Sequence, residues 1–410
     1  MVNSCSSFGR ERGLLKRRFA TILLVVVFSV GISIALFAQL SASSRKNPPG
    51  KVSPVSEASF VVFTDGFLVY ARNGETGLVD FWGSNASEVI QAAIDGLGLH
   101  GGMVLIKEGS YVISRTIRVP GNVTLSGVGF ATRLVLADYA NQEVIENEHL
   151  DVYVDSNIVI RDLQIDGNGA WQTLEAQVSA IFFSRVSHSR VEGCWIHDVS
   201  VGSPGSPAIL SQFTDGLVVR GSTIYDNRYA GVFLSLGTNC IVSNNVFINN
   251  HRAVYLANHL NGVVEGNQIL SGDEGVRMYV AASNNLIQGN LIKDNREEGI
   301  IVTHSTCAGN YLVDNYLINN VVQILDDGTD TVTRKNEGYQ TENCDVTSVA
   351  NGSFISHGLV AEPTSVQLTA SAERVVAVLS KNATHFQVGL WFLDGTAVTE
   401  PEEINWHVEV

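Results

Sequence analysis

Charged residues gather at recurring points between residues 228 and 298: Arg228, then His251 and Arg252, Asp273 and Glu274, and finally Arg296, Glu297 and Glu298. If these points lie on adjacent turns of one structure, Asp273 and Glu274 come close to Glu297 and Glu298. Carboxylates about 5 Å apart raise one another's pKa, suit acid/base catalysis, or capture a hard cation such as calcium. With Arg252 and Arg277 as cationic partners, these four acids form the candidate catalytic set. Phe233, Tyr255 and Tyr279 recur in the apolar segments that follow, and with Arg228 and His251 they form a candidate substrate-binding set. Ring faces there would stack on sugars, and cations would meet carboxylates or hydroxyls. His197, Asp198 and Asp226 offer a second acid/base trio. In this register Asp198, Asp226 and Asp294 share one column with Asn249, Ser271 and Asn319. A solvated surface would carry the same charges without any chemistry.

The elements that position these residues follow from a repeat of 22 to 28 residues between Val191 and Leu317. Its register is written on Asn245, Asn267, Asn290 and Asn315, with Cys194 and Ser222 in the same place upstream. An aliphatic stands three residues before each of these (Val191, Val219, Val242, Val264, Ile287, Leu312). A second column, five residues after the first, reads Asn227, Asn250, Asn295 and Asn320, broken by Val199 and Gly272. Periods of this length indicate a solenoid with one supersecondary unit per repeat. The segments 231–236, 253–257, 276–280 and 300–303 are short, apolar and bounded by Gly, Asn and Asp, so they read as strands. Three strands and three bends per turn make a parallel β-helix, with equivalent residues stacked about 4.8 Å apart. Asparagines stacked at a bend hydrogen-bond along the axis and tolerate left-handed backbone. Val232, Leu234, Val254, Leu256, Val276, Met278, Ile300 and Val302 then face inward. Phe233, Tyr255, Arg277 and Ile301 form an outward row.

The runs Val264-Glu265-Gly266-Asn267-Gln268-Ile269, Ile287-Gln288-Gly289-Asn290-Leu291-Ile292 and Leu312-Val313-Asp314-Asn315-Tyr316-Leu317 resemble the right-handed parallel β-helix repeats of the pectate-lyase-like superfamily. The resemblance covers roughly residues 80 to 342. It implies an all-β right-handed solenoid, with the amphipathic stretch Ala86–Ile94 as an N-terminal capping helix. It is specific for fold and not for chemistry, because the superfamily includes polysaccharide lyases, glycoside hydrolases, epimerases and tailspikes. The run Ile165-Asp166-Gly167-Asn168 is similar to one frequent in pectin-degrading members, where it often serves as a turn. From about Val346 the ladder is gone. Short alternating strands through Trp406 resemble the β-sandwich modules appended to tailspike-type proteins.

Residues 1–18 are basic, 19–40 are uncharged and mostly apolar, and 41–58 carry three prolines. Twenty-two residues reach about 33 Å, enough to cross a bilayer, which predicts a transmembrane signal anchor with the remainder outside. Secretion after cleavage near Ser41-Ala42-Ser43 is the alternative. The expected organisation is therefore a cytoplasmic tail, anchor and linker, then the β-helix over 59–342 and a sandwich over 343–410. Asn85, Asn122, Asn351 and Asn382 stand in glycosylation sequons, which fits an external position. No CxxC or Cys/His zinc spacing occurs, and Cys194 reads as a small buried hydrophobe. A formal charge of −15 disfavours nucleic acid as partner. Two functions remain from different classes. One is a membrane-anchored extracellular protein that binds a polysaccharide without catalysis. The other is a lyase, hydrolase or epimerase acting on a glycan in a groove on the solenoid. Calcium is the one cofactor the acidic corners suggest, and oligomeric state is not legible.

Overall fold

The computed structural model describes residues 58–151, 153–173, 178–199 and 206–410. The expected N-terminal tail, anchor and nearly all of the linker lie outside the described residues. No described helix is long and apolar enough to cross a membrane.

The chain winds into a parallel β-solenoid of three sheets. The first has 13 strands and ends at Val332–Arg334; the second and third have nine each, running from Gly109–Ile113 to Tyr316–Ile318 and from Ile117–Val119 to Val322–Asp326. Only the first sheet starts with antiparallel pairs, formed by Phe60–Thr64, Val69–Asn73 and Val79–Gly83. The aliphatic columns set the register. Val219, Val242, Val264, Ile287 and Leu312 stack in the first sheet, and Ile224, Phe247, Ile269, Ile292 and Leu317 in the second. All of these are buried. In the third sheet Val232, Leu234, Val254, Leu256, Val276, Met278, Ile300 and Val302 fill the interior as the alternation requires.

The asparagines bond from turn to turn. The Asn245 amide donates to Asn267 Oδ1 at 2.9 Å, Asn267 to Asn290 at 3.0 Å and Asn290 to Asn315 at 3.1 Å. Each side-chain amide also donates inward, as Asn267 Nδ2 does to the Val242 carbonyl at 2.9 Å. The ladder runs one turn further than the repeat suggests, to Asn336. A ladder at another corner runs from Asn285 to Asn310, with Gly262 before it and the His259 ring against Asn285 Oδ1, and the repeat did not reveal it. The residue before a ladder position is left-handed: Asp198, Asp226, Asn249, Ser271, Asp294 and Asn319 have φ between 52° and 58°. Their column is thus explained by the bend, since Asn and Asp bear this conformation at low cost.

Helix Ala86–Asp95 buries Val89, Ile90, Ala93 and Ile94 in the solenoid core, and Asn85 Oδ1 accepts the Ser87 amide as its N-cap. At the other end, strands Glu342–Val349, Glu402–Glu409 and Ser365–Ala370 form one antiparallel sheet. Phe354–Ser356, His385–Trp391 and Val375–Lys381 form another. A separate core of Ile355, Phe386, Val388, Leu390, Ile404, Trp406 and Val408 joins the two.

Candidate functional site

The corner between the second and third sheets carries the candidates. After each left-handed residue the next points inward to the ladder, and the one after that points out. This brings Arg228, His251, Asp273 and Arg296 together on four successive turns. With Asp198, Asp226, Asn227 and Asn249 they line a cleft of about 510 Å³. Each carboxylate in it is held by a donor. His197 Nδ1 lies 2.7 Å from Asp198 Oδ2, Asn249 Nδ2 donates to Asp226 Oδ1 at 2.7 Å, and His251 Nδ1 lies 2.8 Å from Asp273 Oδ2. Arg296 Nε donates to Asp273 Oδ1 at 2.5 Å. Burial alone would raise the Asp273 carboxyl, but Arg296 and His251 outweigh it and hold the group below its ordinary value. The sequence expectation that neighbouring acids raise one another therefore fails at Asp273, because the next turn supplies a guanidinium rather than an acid.

His197 is buried behind the cleft wall. Its ring stacks on Tyr225 at 4.7 Å, and its Nε2 lies 2.7 Å from Gln164 Nε2. Asp166 approaches the same group but is already paired with Arg133. Asp166 Oδ1 also accepts the Asn168 amide at 2.7 Å, and Asn168 is left-handed with φ 46°, so this run is a turn. Gln164 and Asp166 were not read as partners of His197, since they sit one turn away.

On the other side of the corner the sequence expected an exposed aromatic row; Tyr279 is 40% exposed, but the structure corrects the rest of the row. Tyr255 is only 8% exposed and Ile301 7%. Phe233 and Tyr255 stack on each other with centroids 4.3 Å apart and planes within 7°, and Tyr229 packs edgewise on both. Side chains one turn apart are at stacking distance, so the rings spend their faces on one another. Beneath them Glu274, with its side chain 4% exposed, takes Arg252 Nε at 2.9 Å and Arg277 Nη1 at 2.6 Å. Both guanidiniums lie over Tyr255, Arg252 also over Tyr229 and Arg277 also over Tyr279. Glu297 and Glu298 do approach Glu274 as expected. Glu274, however, is already neutralised by two cations, which leaves little for calcium.

Among the sequon asparagines, Asn122 and Asn382 are exposed, while Asn85 and Asn351 are half-buried with Oδ1 bonded to backbone amides. The four described cysteines are free. Cys194, Cys240 and Cys307 are buried, and burial pushes the Cys194 and Cys240 thiols up to about 12.

Fold and cleft together define a parallel β-solenoid with a charged trough across its turns. Residues 140–358, more than half of the chain, match the family described as periplasmic copper-binding protein (NosD), and the chain belongs to that family. No curated protein sequence matches significantly. Among solved structures, the mannuronan C-5 epimerase AlgE6 A-module of Azotobacter vinelandii is similar at 22% identity and a TM-score of 0.46, over 62% of this chain and 75% of that one. An exopolygalacturonase from Thermotoga maritima is similar at 13% and 0.47, over 58% and 71%. The Dettilon tailspike protein is similar at 8% and 0.42, over 79% and 91%. These likenesses concern the fold alone.

Proposed function

We propose that this chain is an extracytoplasmic solenoid, right-handed in its winding, that binds a glycan along the corner cleft without turning it over. The observation that carries this is the set of pre-oriented carboxylates, Asp198, Asp226 and Asp273, beside the exposed Arg228. Aimed in this way, such groups accept hydrogen bonds from sugar hydroxyls, while Arg228 donates. The rise of about 4.8 Å per turn is comparable to the length of one hexose unit, so a chain of sugars along the axis meets equivalent groups repeatedly. A glycosidase needs one carboxyl kept protonated. Asp273 shifts the other way. The basic tail and apolar run over 10–40, and the periplasmic description of the family, support an external location with an N-terminal anchor. Residues 59–342 would then be the binding solenoid and 343–410 its terminal module, with Asn122 and Asn382 the more accessible sequons.

The family's copper does not fit the cleft. Cu(I) favours thiolate and thioether ligands. The cleft offers one imidazole, three carboxylates and two guanidiniums, and Met278, Cys194, Cys240 and Cys307 are sealed in the core. No metal-dependent step is derived there.

The test is a polysaccharide panel with the full chain, with and without calcium, read by affinity and by product formation. Saturable binding with unchanged substrate is expected, weakened in Arg228→Ala and Asp273→Asn. New reducing ends or unsaturated products would overturn this reading. One observation favours a second: His251, oriented by Asp273, has no side-chain partner at Nε2 among the described residues, the arrangement a general base requires. An epimerase or lyase would then lose turnover in His251→Gln while retaining binding.

A further inference from the structure

We infer that Tyr139 and Trp171 form a sugar-stacking platform at the N-terminal end of the corner cleft, and that the glycan is a neutral, extended hexose chain long enough to reach it. The inference rests on the glycan reading of that cleft and adds the ligand's length, its charge and a second point of contact. Phe233 and Tyr255, the rings expected to stack on sugar, spend their faces on each other. Tyr139 and Trp171 do not. They are 62% and 52% exposed and meet edge to face, with centroids 6.2 Å apart and planes at 89°. Such a contact leaves ring faces open for a ligand. The pair stands on the same corner as the cleft, on the two turns before Asp198. The Tyr139 amide donates to the Trp171 carbonyl at 2.9 Å, and the Gly169 amide donates to the Asp198 carbonyl at 2.8 Å. Backbone bonds thus run without a break from platform to cleft.

The platform is fixed before any ligand arrives. Buried Gln172 donates to the Ala137 carbonyl at 3.0 Å and accepts the Asn141 amide at 2.9 Å, and Asn168 Nδ2 donates to Asp138 Oδ1 at 2.8 Å. Preorganisation of this kind removes an ordering cost from binding. From the strand before Tyr139 to the strand before Arg296 the second sheet advances six spacings, or about 29 Å. At one hexose per turn, that path holds about seven sugars. Its charge selects among them. Asp138, Asp198, Asp226 and Asp273 line the path against Arg228 and Arg296, and Arg296 is already bonded to Asp273. Such a path repels a polyuronate. A neutral β-1,4-linked hexose chain offers the carboxylates its hydroxyls and the rings its apolar C–H face.

The experiment measures, by calorimetry on the full chain, affinities for β-1,4-linked gluco- and mannooligosaccharides of three and seven units. In at least one series the seven-unit chain should bind about tenfold tighter than the three-unit chain. Trp171→Ala should abolish that gain while leaving the three-unit affinity unchanged, and Trp171→Tyr should keep most of it. Arg228→Ala should weaken both lengths. An unchanged unfolding midpoint would confirm that each variant folds. Equal affinity for the two lengths, or a gain that survives Trp171→Ala, would overturn the inference. So would failure of both series where another polysaccharide of the panel binds, and the cleft reading would then still stand. Binding of no polysaccharide at all would overturn that reading itself.

Discussion

Asp273 and Glu274 are adjacent in sequence and both meet arginines, yet one opens a cleft and the other closes a cluster. Glu274 is buried, and its oxygens are taken by Arg252 and Arg277 under a lid of aromatic rings. Asp273 keeps 27% of its side chain exposed and shares its cleft with Arg228, whose side chain has no partner among the described residues. The corner decides which is which: Asp273 turns into the cleft between His251 and Arg296, while Glu274 opens the strand Glu274–Tyr279 beside Arg252 of the preceding turn. The same charge chemistry thus serves packing on one side of the corner and recognition on the other.

Breaking the closed side should have the largest effect. Glu274→Gln leaves two half-buried guanidiniums facing a neutral group, and removing one partner of a buried ion pair costs about 3–5 kcal/mol. Denaturant unfolding should show this as a lower midpoint at unchanged slope. A loss below about 1 kcal/mol would mean that the cluster is solvated and the comparison fails. The open side should respond in the opposite sense. Arg228→Ala should leave stability within about 0.5 kcal/mol. It should still weaken glycan affinity roughly tenfold, the value of one charge-assisted hydrogen bond. Asp273→Asn should lose affinity similarly while costing under about 1 kcal/mol of stability. Because Asp273 titrates below its ordinary 3.8, its share of binding should persist as pH falls from neutral and disappear only below that value.

The solenoid was legible because its determinants are local and repeated. Val264, Asn267 and Ile269 recur with Ile287, Asn290 and Ile292 at one spacing, and inward burial follows from alternation alone. The outward face was not legible to the same degree. Whether Tyr255 is exposed depends on Phe233 and Tyr229 one turn back and on Arg277 one turn on, and nothing in its own segment reports this. The Asp198, Asp226, Asn249, Ser271, Asp294 column was visible as a column, but its left-handed φ assigns it to the bend before any catalysis. The Asn285–Asn310 ladder was hidden because glycine, not asparagine, stands one turn before it at 262. Tyr139 and Trp171 meet across two turns upstream of Val191, where the repeat was not read.

Two histidines carry the comparison inside the solenoid and supply the smallest expected effect. His251 bonds Asp273 in the open cleft. His259 is fully buried beside the ladder position held by Gly262; its Nδ1 meets Asn285 Oδ1 at 3.2 Å and its Nε2 has no partner among the described residues. Its ring fills space left by Gly237, whose added Cβ would come within 3.5 Å of Nε2. Protonation would place an unpaired cation there, so burial lowers the His259 pKa from 6.5. Below 6.5 the unfolded chain takes up a proton that the folded chain refuses. Stability is therefore complete above that pH and falls as pH drops toward the lowered folded value, by at most about 1.4 kcal/mol per pH unit. His259→Asn removes the titrating group and keeps an amide in reach of Asn285 Oδ1. Urea midpoints measured from about pH 7.5 to 5 should fall less steeply in the variant than in the parent. Parallel curves would mean that His259 is protonated in the fold, and that the ladder tolerates charge as the cleft does.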